Sequence, residues 1–495
     1  VLIANRGEIA VRVARTCRVL GIPTVAVYSE ADRDARHVRE ADEAFPIGPA
    51  EALRSYLSID RMLEAARATG ADAVHPGYGF LSQNGDFADA VRDAGLVFVG
   101  PPGDVHRLMG DKKAARRLMA RAGVPVLPGY EGDEQADGRL AAEARRIGWP
   151  VMIKPSRGGG GKGMRVVRKQ DDFLSALAAS RREAHAAFGD DTIVLERFLE
   201  RPRHVEVQVM ADGSGRILHL GERECSVQRR HQKIVEETPS PALDPKQREA
   251  LCRQGVAAAR AAGYLNAGTV EFLLAPDGSV SFLEMNTRLQ VEHPVTEAVT
   301  GLDLVRLQLL VAAGQELPLG QDEVVRRGHA LECRLYAEDP ERDDLPSPGR
   351  VLHLSFPDGP GIRVDSGLLE GQEITVHYDP LLSKIVTWGY DRSEAIERMR
   401  DALRRSVVLG VVTNLARLRA IVEHPAFAAG NLHTRFIEEH IGELTPRPCP
   451  PREAIAALAA ALHASRDRRD RGGLGGRPRP DPWAMLGRFR LGEGA

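Results

Sequence analysis

Five cysteines in 495 residues, Cys17, Cys225, Cys252, Cys333 and Cys449, are odd in number and too scattered for a disulfide framework or a zinc site. Packing is their default role. Reduced thiols point to a cytoplasmic protein, or to the mitochondrial matrix if the source is eukaryotic. No apolar stretch is long enough to span a membrane, and the opening VLIANRGEIA is no signal peptide, so no membrane partner is expected. Val1 in first place implies that residues precede it. A formal net charge of -2 gives no electrostatic reason to expect DNA or RNA as a partner. Neither the Walker phosphate-loop pattern nor the dinucleotide fingerprint occurs.

What is present begins with GTVEFLLAPDGSVSFLEMNTRLQVE, from Gly268 to Glu292. Asp277-Gly278 accepts the positive φ angles of a tight two-residue hairpin loop, and the flanks are rich in Val, Phe and Leu. With Pro276 facing Ser279, counting outward sets Glu271 opposite Glu284. Like charges about 5 Å apart across a sheet are destabilising unless a cation lies between them. Hard oxygen donors with no nearby Cys point to magnesium, which shares its coordination sphere with substrate phosphates. A three-residue loop would shift this register. Past the pair, Glu284, Asn286, Arg288, Gln290 and Glu292 occupy every second position, so an extended chain projects them from one face. A solvated strand face is the alternative, but Met285, Thr287, Leu289, Val291 and His293 opposite, with the apolar lead-in, argue for burial.

Upstream, Pro150-Val151-Met152-Ile153 reads as a buried strand, with Lys154 before Pro155-Ser156-Arg157, the glycines Gly158 to Gly161, and Lys162-Gly163. Such a loop lets backbone amides approach phosphate oxygens, although four glycines equally suit a surface hairpin. Lys112 in MGDKKAA and Glu196 in IVLERFLE strengthen the phosphate reading. In GERECSVQRRHQKIVEETPSP, Arg229, Arg230, His231 and Lys233 are offset by Glu222, Glu224, Glu236 and Glu237. Local anion binding and a merely hydrated surface loop both remain open there.

The length allows three or more domains, and 43% hydrophobic residues suffice for packed cores. VLIA, TVAVYS, ADAVHP and LVFVG alternate with helix-like stretches in the first hundred residues, as in a doubly wound parallel sheet. Gly77 and Gly79 follow one such run, either at a carboxyl-end ligand crevice or serving only a turn. Near the end, Ala454 to Ala464 reads as a short helix and SRDRRDRGGLGGRPRPDP as a linker.

Taken in order, ANRGEIA, HPGYGFLSQN, MGDK, KPSRGGGGKGM, RHVEVQV, SVQRRHQKIVEE, EMNTRLQVEHPVTE and HALECRLYAEDP resemble biotin carboxylase of the ATP-grasp superfamily, from Val1 to about Ile441. The fold so implied is α/β and α+β. It comprises an N-terminal doubly wound parallel sheet (1–110), an ATP-grasp domain (111–322) with a mobile lid near 128–200, and a C-terminal biotin carboxylase domain (323–442). Residues 443–495 would then form a helix, a linker and the start of a following region, where DPWAMLGRFRL resembles biotin-containing subunits of acyl-CoA carboxylases. YEGDEQ and HYDPLLSKIVTWG resemble the methylcrotonyl- or propionyl-CoA carboxylase type.

The resemblance implies ATP-dependent carboxylation of carrier-bound biotin by bicarbonate through carboxyphosphate, with magnesium, or manganese in its place. By the same resemblance, Lys112, Lys154, Gly160, Gly161, Glu196, Leu199, His204, His231, Glu271 and Glu284 contact ATP, and Glu271, Glu284 and Asn286 hold the metal. Lys233, Arg288, Val291 and Glu292 form the bicarbonate pocket, with Glu292 as general base. Arg334 steadies the enolate-like oxygen of biotin, so Arg288, Glu292, Lys233 and Arg334 are the catalytic set. The implied partners are a biotin carboxyl carrier domain, a carboxyltransferase subunit and further copies of the chain. No Met-Lys-Met biotinylation motif occurs in these residues. Departures from the family pattern are Gln83 where Glu is usual, Pro155 where a small residue stands, and Lys162 for Arg. Another ATP-grasp ligase and a silent nucleotide-binding scaffold are the rival readings.

Overall fold

The computed structural model describes residues 1–156, 163–445, 455, 456, 459 and 460. Gly160, Gly161 and the rest of the 157–162 loop therefore lie outside the described residues. So do the proposed linker and, except for four helical positions, the expected helix Ala454–Ala464. Residues 1–445 form one compact unit, and 446–495 are a second.

The chain opens with a five-stranded parallel sheet in the order Glu43–Gly48, Val25–Ser29, Leu2–Ile3, Ala73–His75, Val97–Phe98. Placing the first strand centrally and building outward in both directions gives the doubly wound topology, whose crevice lies at the strands' carboxyl ends. The apolar runs supply four strands. The fifth, Glu43–Gly48, is an edge strand containing Pro46 and only one buried residue, Ile47, a composition without a strand signature. Gly77 has φ +61°. A Cβ there would approach Asn5 Nδ2 to 2.9 Å, so glycine is needed both for the turn and for the close packing. Asn5 Nδ2 donates to the carbonyls of Pro76 and Tyr78 at 2.8 and 2.7 Å, tying this crevice loop to the first strand.

An eight-stranded antiparallel sheet follows, in the order Val280–Asn286, Asn266–Leu274, Arg203–Ala211, Ile217–Arg229, Gln232–Thr238, His329–Tyr336, Leu381–Gly389, Ile362–Ser366. It runs without interruption across the expected 322/323 boundary, where Glu237 pairs with Leu331. The two-residue period divides the strand Arg203–Ala211 cleanly. Val205, Val207 and Val209 face the helix Pro245–Ala261, packing with Leu251, Ala258 and Phe272. His204, Glu206 and Gln208 face the opposite side and are also buried. That second face holds the ionisable cluster.

A separate four-stranded sheet, Gly129–Tyr130, Ile193–Arg197, Val151–Pro155 and Arg165–Val167, lies within the expected lid. With the helices Asp137–Ile147 and Phe173–Phe188 it encloses its own core around Leu140, Ile153, Phe173, Leu177 and Leu195. It carries Lys154 and Glu196 on adjacent strands.

The hairpin reaches the expected pairing by a different route. Ala275 N donates to the Ser279 carbonyl at 2.8 Å and Leu274 pairs with Val280, so the loop has three residues, Pro276 to Gly278. Proline suits the second position of a type I turn, and Gly278 at φ +84° supplies the left-handed residue that closes such a loop. Continued without interruption, this register would put Leu283 opposite Glu271. A bulge between Phe272 and Glu271 absorbs the extra residue and restores Glu271 opposite Glu284. The alternating face also ends early, because the strand stops at Asn286. Glu292 instead sits at the N-cap of the helix His293–Thr300.

Replacing Gly278 by Ala should cost about 1 kcal/mol through the positive φ alone, since the added Cβ meets nothing closer than 3.8 Å. Urea unfolding of the two proteins measures this, and equal stability would mean the loop does not keep its left-handed residue.

Candidate active site

Lys233 stands at the centre of the charged face. Its Nζ donates to Glu206 Oε2 at 2.5 Å, Glu271 Oε1 at 2.7 Å and Glu292 Oε1 at 2.6 Å. Arg223, fully buried, donates from Nε to Glu206 Oε1 at 2.6 Å. Arg334 donates to Glu292 Oε2 at 2.8 Å and to Glu236 Oε1 at 2.6 Å. Burial pushes the Glu292 carboxyl up, but Lys233, Arg334 and Arg223 outweigh it and hold the group well below the ordinary carboxylate range. Glu271 is also lowered against the upward pull of burial, by Lys233 and His204, whose Nε2 lies 3.0 Å from it. Burial wins at Glu236, which rises to about 7 despite Arg334.

Glu284 behaves oppositely to Glu271. Burial, then the facing Glu271 carboxylate, raise it. This is the response of an acidic pair with too little positive charge between its members. Asn286 lies beside them, donating from Nδ2 to Glu271 Oε1 at 2.8 Å. An all-oxygen donor set of two carboxylates and an amide fits a hard divalent cation such as magnesium. His204, Glu206 and Glu271 also converge closely enough to be considered. However, both Glu206 oxygens already accept from Arg223 and Lys233, so the Glu284 side is the better cation site.

Two adjoining cavities, about 700 and 220 Å³, lie between the small sheet and this face. Lys154, Glu196, His204 and His231 line both. Leu199 lines the larger, while Lys112, Glu271 and Glu284 line the smaller. All the described residues expected to contact ATP are thus brought together. Lys154 is hydrogen bonded to Glu196, and Arg116 Nη1 lies 3.4 Å from the same carboxylate. His231 is carried on the two-residue turn Arg230-His231, where both residues have positive φ. Arg229 steadies that turn by donating to both Glu338 oxygens, at 2.6 and 2.9 Å.

A third cavity of about 240 Å³ is lined by Arg288, Val291, Arg334, Gln232, Tyr78 and Glu8 among others. Lys233 and Glu292 do not line it; they stand behind Arg334. Lys384 Nζ donates to the Val291 carbonyl at 2.9 Å and lies 3.2 Å from Glu8 Oε2. Burial raises Glu8 to about 7, with Lys384 pulling the other way.

Sequence reasoning missed Glu206, Arg223, Gln228 and Arg116, as well as the apolar wall of the large cavity, Met164, Phe198, Leu273 and Ile437. For Glu206 a signal existed, since it shares the face of His204 by the two-residue period. The apolar wall is drawn from segments far apart in the chain, including the short helix Phe436–Glu439, and leaves no local pattern. Among the described residues Cys17, Cys225, Cys252 and Cys333 are free and buried, and no helix is long and apolar enough to cross a membrane.

A small sheet closing over an antiparallel sheet, with lysines and paired carboxylates in the space between, defines an ATP-grasp protein. Residues 111–320 match the carbamoyl-phosphate synthase L chain ATP binding domain, residues 1–105 the biotin carboxylase N-terminal domain and 332–439 the biotin carboxylase C-terminal domain. The biotin carboxylase of a Nostoc species is 50% identical over 439 residues, covering 89% of this chain and 98% of that protein. The mitochondrial methylcrotonoyl-CoA carboxylase subunit alpha of Arabidopsis thaliana is 50% identical over 94% of this chain, which spans 64% of its length. The biotin carboxylase domain dimer of Hydrogenobacter thermophilus 2-oxoglutarate carboxylase, solved with MgADP, ADP and bicarbonate, superposes with a TM-score of 0.87 at 44% identity, over 90% of this chain and 98% of that one. The chain belongs to the biotin carboxylase family.

Because Glu8 binds its proton more tightly when folded, its contribution to stability is fully present below the ordinary carboxylate pKa and is lost as pH rises through about 7. Glu8→Gln lacks this loss. The stability of the wild type relative to the variant should therefore fall by up to about 3 kcal/mol between about pH 5 and about pH 8. Urea unfolding at the two pH values measures the difference, and a constant gap would contradict the raised pKa.

Proposed function

We propose that this chain catalyses ATP- and magnesium-dependent carboxylation of biotin, presented on a carrier domain, with bicarbonate as carbon source and carboxyphosphate as intermediate. The observation that carries the reading is Glu292 held between Lys233 and Arg334, with Arg334 itself lining the 240 Å³ pocket.

In this reading Lys112, Lys154, His204 and His231 receive the ATP phosphates and sugar, while Glu196 orients Lys154. Magnesium held by Glu271, Glu284 and Asn286 would offset charge on the transferring γ-phosphoryl group. Gly160 and Gly161 complete the phosphate contacts by resemblance alone. Bicarbonate is placed by Arg288 and the backbone at Val291, which line the pocket, and by resemblance alone Lys233 joins them and Glu292 accepts its proton. Glu292 is a weak base while both cations grip it. An entering anion that draws Lys233 toward itself raises that basicity at the moment it is needed. Arg334 then donates to the ureido oxygen as biotin N1 becomes nucleophilic, a contribution typically worth about 3 kcal/mol. The domain division 1–110, 111–322 and 323–442, with the small sheet as a lid, belongs to the same proposal; the separate parallel sheet supports the first boundary and the separate four-stranded sheet the lid, whereas one sheet spans 322/323.

The similarity to a methylcrotonoyl-CoA carboxylase alpha subunit supports a role as the first half-reaction of an acyl-CoA carboxylase. A biotin carboxyl carrier domain and a carboxyltransferase subunit are then its partners, with further copies of the chain. Free buried thiols suit a reducing compartment, the cytoplasm or the mitochondrial matrix.

Bicarbonate-dependent ATP cleavage stimulated by free biotin tests the activity, and nucleotide binding without turnover would favour a silent scaffold. Arg334→Ala should lose biotin carboxylation more than bicarbonate-dependent ATP hydrolysis; equal losses would remove its biotin role.

Glu292→Gln keeps size and hydrogen-bonding reach but removes the base, so both activities should fall about a hundredfold or more with little change in ATP affinity. A bicarbonate titration decides the point. Recovery of near-native maximal rate at saturation would show that Glu292 only supports binding.

A further inference from the structure

Arg288 differs from the other cations of the site in what it touches. Lys233 and Arg334 each bind carboxylates directly. The Arg288 guanidinium instead donates from Nε to Gln83 Oε1 at 2.8 Å, from Nη1 to Gln290 Oε1 at 2.8 Å and the Leu289 carbonyl at 3.1 Å, and from Nη2 to Asn286 Oδ1 at 3.3 Å. Every one of these acceptors is neutral. Among the described residues no carboxylate reaches ion-pairing distance, and Glu292, Glu271 and Glu284 act on it only from farther away. Four neutral acceptors fix the plane of a guanidinium without cancelling its charge.

Gln83 is the exposed member of this set and comes from the crevice loop after the strand Ala73–His75, a different part of the fold from the other three. The other acceptors lie within two residues of Arg288 itself. Among the described residues Gln83 is thus the one long-range tether on the arginine, and a carboxylate of the same length there would convert the tether into an ion pair.

We propose that Gln83 is a positioning residue that holds Arg288 by its amide oxygen while leaving the guanidinium charge available to an oxyanion substrate in the 240 Å³ pocket. The inference rests on the reading of that pocket as the bicarbonate site. Its chemical content is that neutrality at residue 83 sets the affinity for a small anion. A carboxylate at this position would compete with the anion for Arg288 and repel it, whereas an apolar side chain would free the arginine to swing without altering its charge.

The test uses the whole 495-residue chain and bicarbonate-dependent ATP hydrolysis. Gln83→Glu should raise KM for bicarbonate about three- to tenfold, the range for one partly exposed charge acting over a few ångströms. KM for ATP and the thermal midpoint should stay unchanged. The penalty should shrink as ionic strength rises, because an exposed charge is screened. Gln83→Met should lower kcat with a salt-independent effect on KM. A bicarbonate KM within twofold of wild type in Gln83→Glu, or a parallel rise in KM for ATP, would overturn the proposal while leaving the pocket assignment standing. Arg288→Met separates the two: an unchanged bicarbonate KM in that variant would overturn the pocket reading and this proposal with it.

Discussion

The ammonium of Lys233 is the point on which the charged face depends. Three carboxylates meet it, each from a different element: Glu206 from the strand Arg203–Ala211, Glu271 from Asn266–Leu274, and Glu292 from the start of the helix His293–Thr300. Burying such groups costs several kcal/mol each in desolvation, and pairing only partly offsets this. Leaving three buried carboxylates without their shared cation would cost more, about 3 to 5 kcal/mol for a single broken pair. A buried ionic cluster is therefore a poor way to gain stability. Its organisation is better explained by what it joins, since Glu271 lines the 220 Å³ cavity and Glu292 is bonded to Arg334, which lines the 240 Å³ pocket.

The same arrangement separates carboxylates that are chemically alike into distinct states. Glu271 and Glu292 are held ionised by their cations, while Glu284 and Glu236 are pushed toward protonation because burial prevails over their partners. Burial and neighbouring charges together set each state, so a bound ion would shift it. A cation entering between Glu271 and Glu284 would remove the repulsion that raises Glu284. An anion drawing on Lys233 would make Glu292 more basic. Substrate binding would thus alter the proton affinities of these carboxylates.

The central sheet makes this possible by being buried on both faces for different reasons. On one side Val205, Val207 and Val209 pack against the helix Pro245–Ala261, where Gly255 lets the helix approach so closely that an added Cβ would lie 2.7 Å from Val207. On the other side His204, Glu206 and Gln208 meet Lys233, Arg223 and Gln228. Rigid apolar packing behind the strands holds the polar side chains in register in front of them. Each residue alternates by the strand period, so one sequence serves both layers.

That alternation is readable without a structure, and so were the doubly wound parallel sheet and the opposed Glu271 and Glu284. These are local properties: runs, periods and turn residues act over a few positions. What the sequence could not disclose were contacts between distant segments. The two-residue loop expected at Asp277-Gly278 is a three-residue loop corrected by a bulge, because a bulge stores one residue without leaving a composition signal. The edge strand Glu43–Gly48 was hidden by its proline. Lys233 chooses Glu206, Glu271 and Glu292 over its sequence neighbours Glu236 and Glu237, and Arg288 meets Gln83 from a loop some two hundred residues earlier. The sequence by itself determined which elements form and which faces are polar, since backbone geometry makes those short-range. Only the tertiary structure decided which cation faces which carboxylate, and therefore which groups hold protons, because Coulomb interaction and desolvation depend on distance through space rather than along the chain.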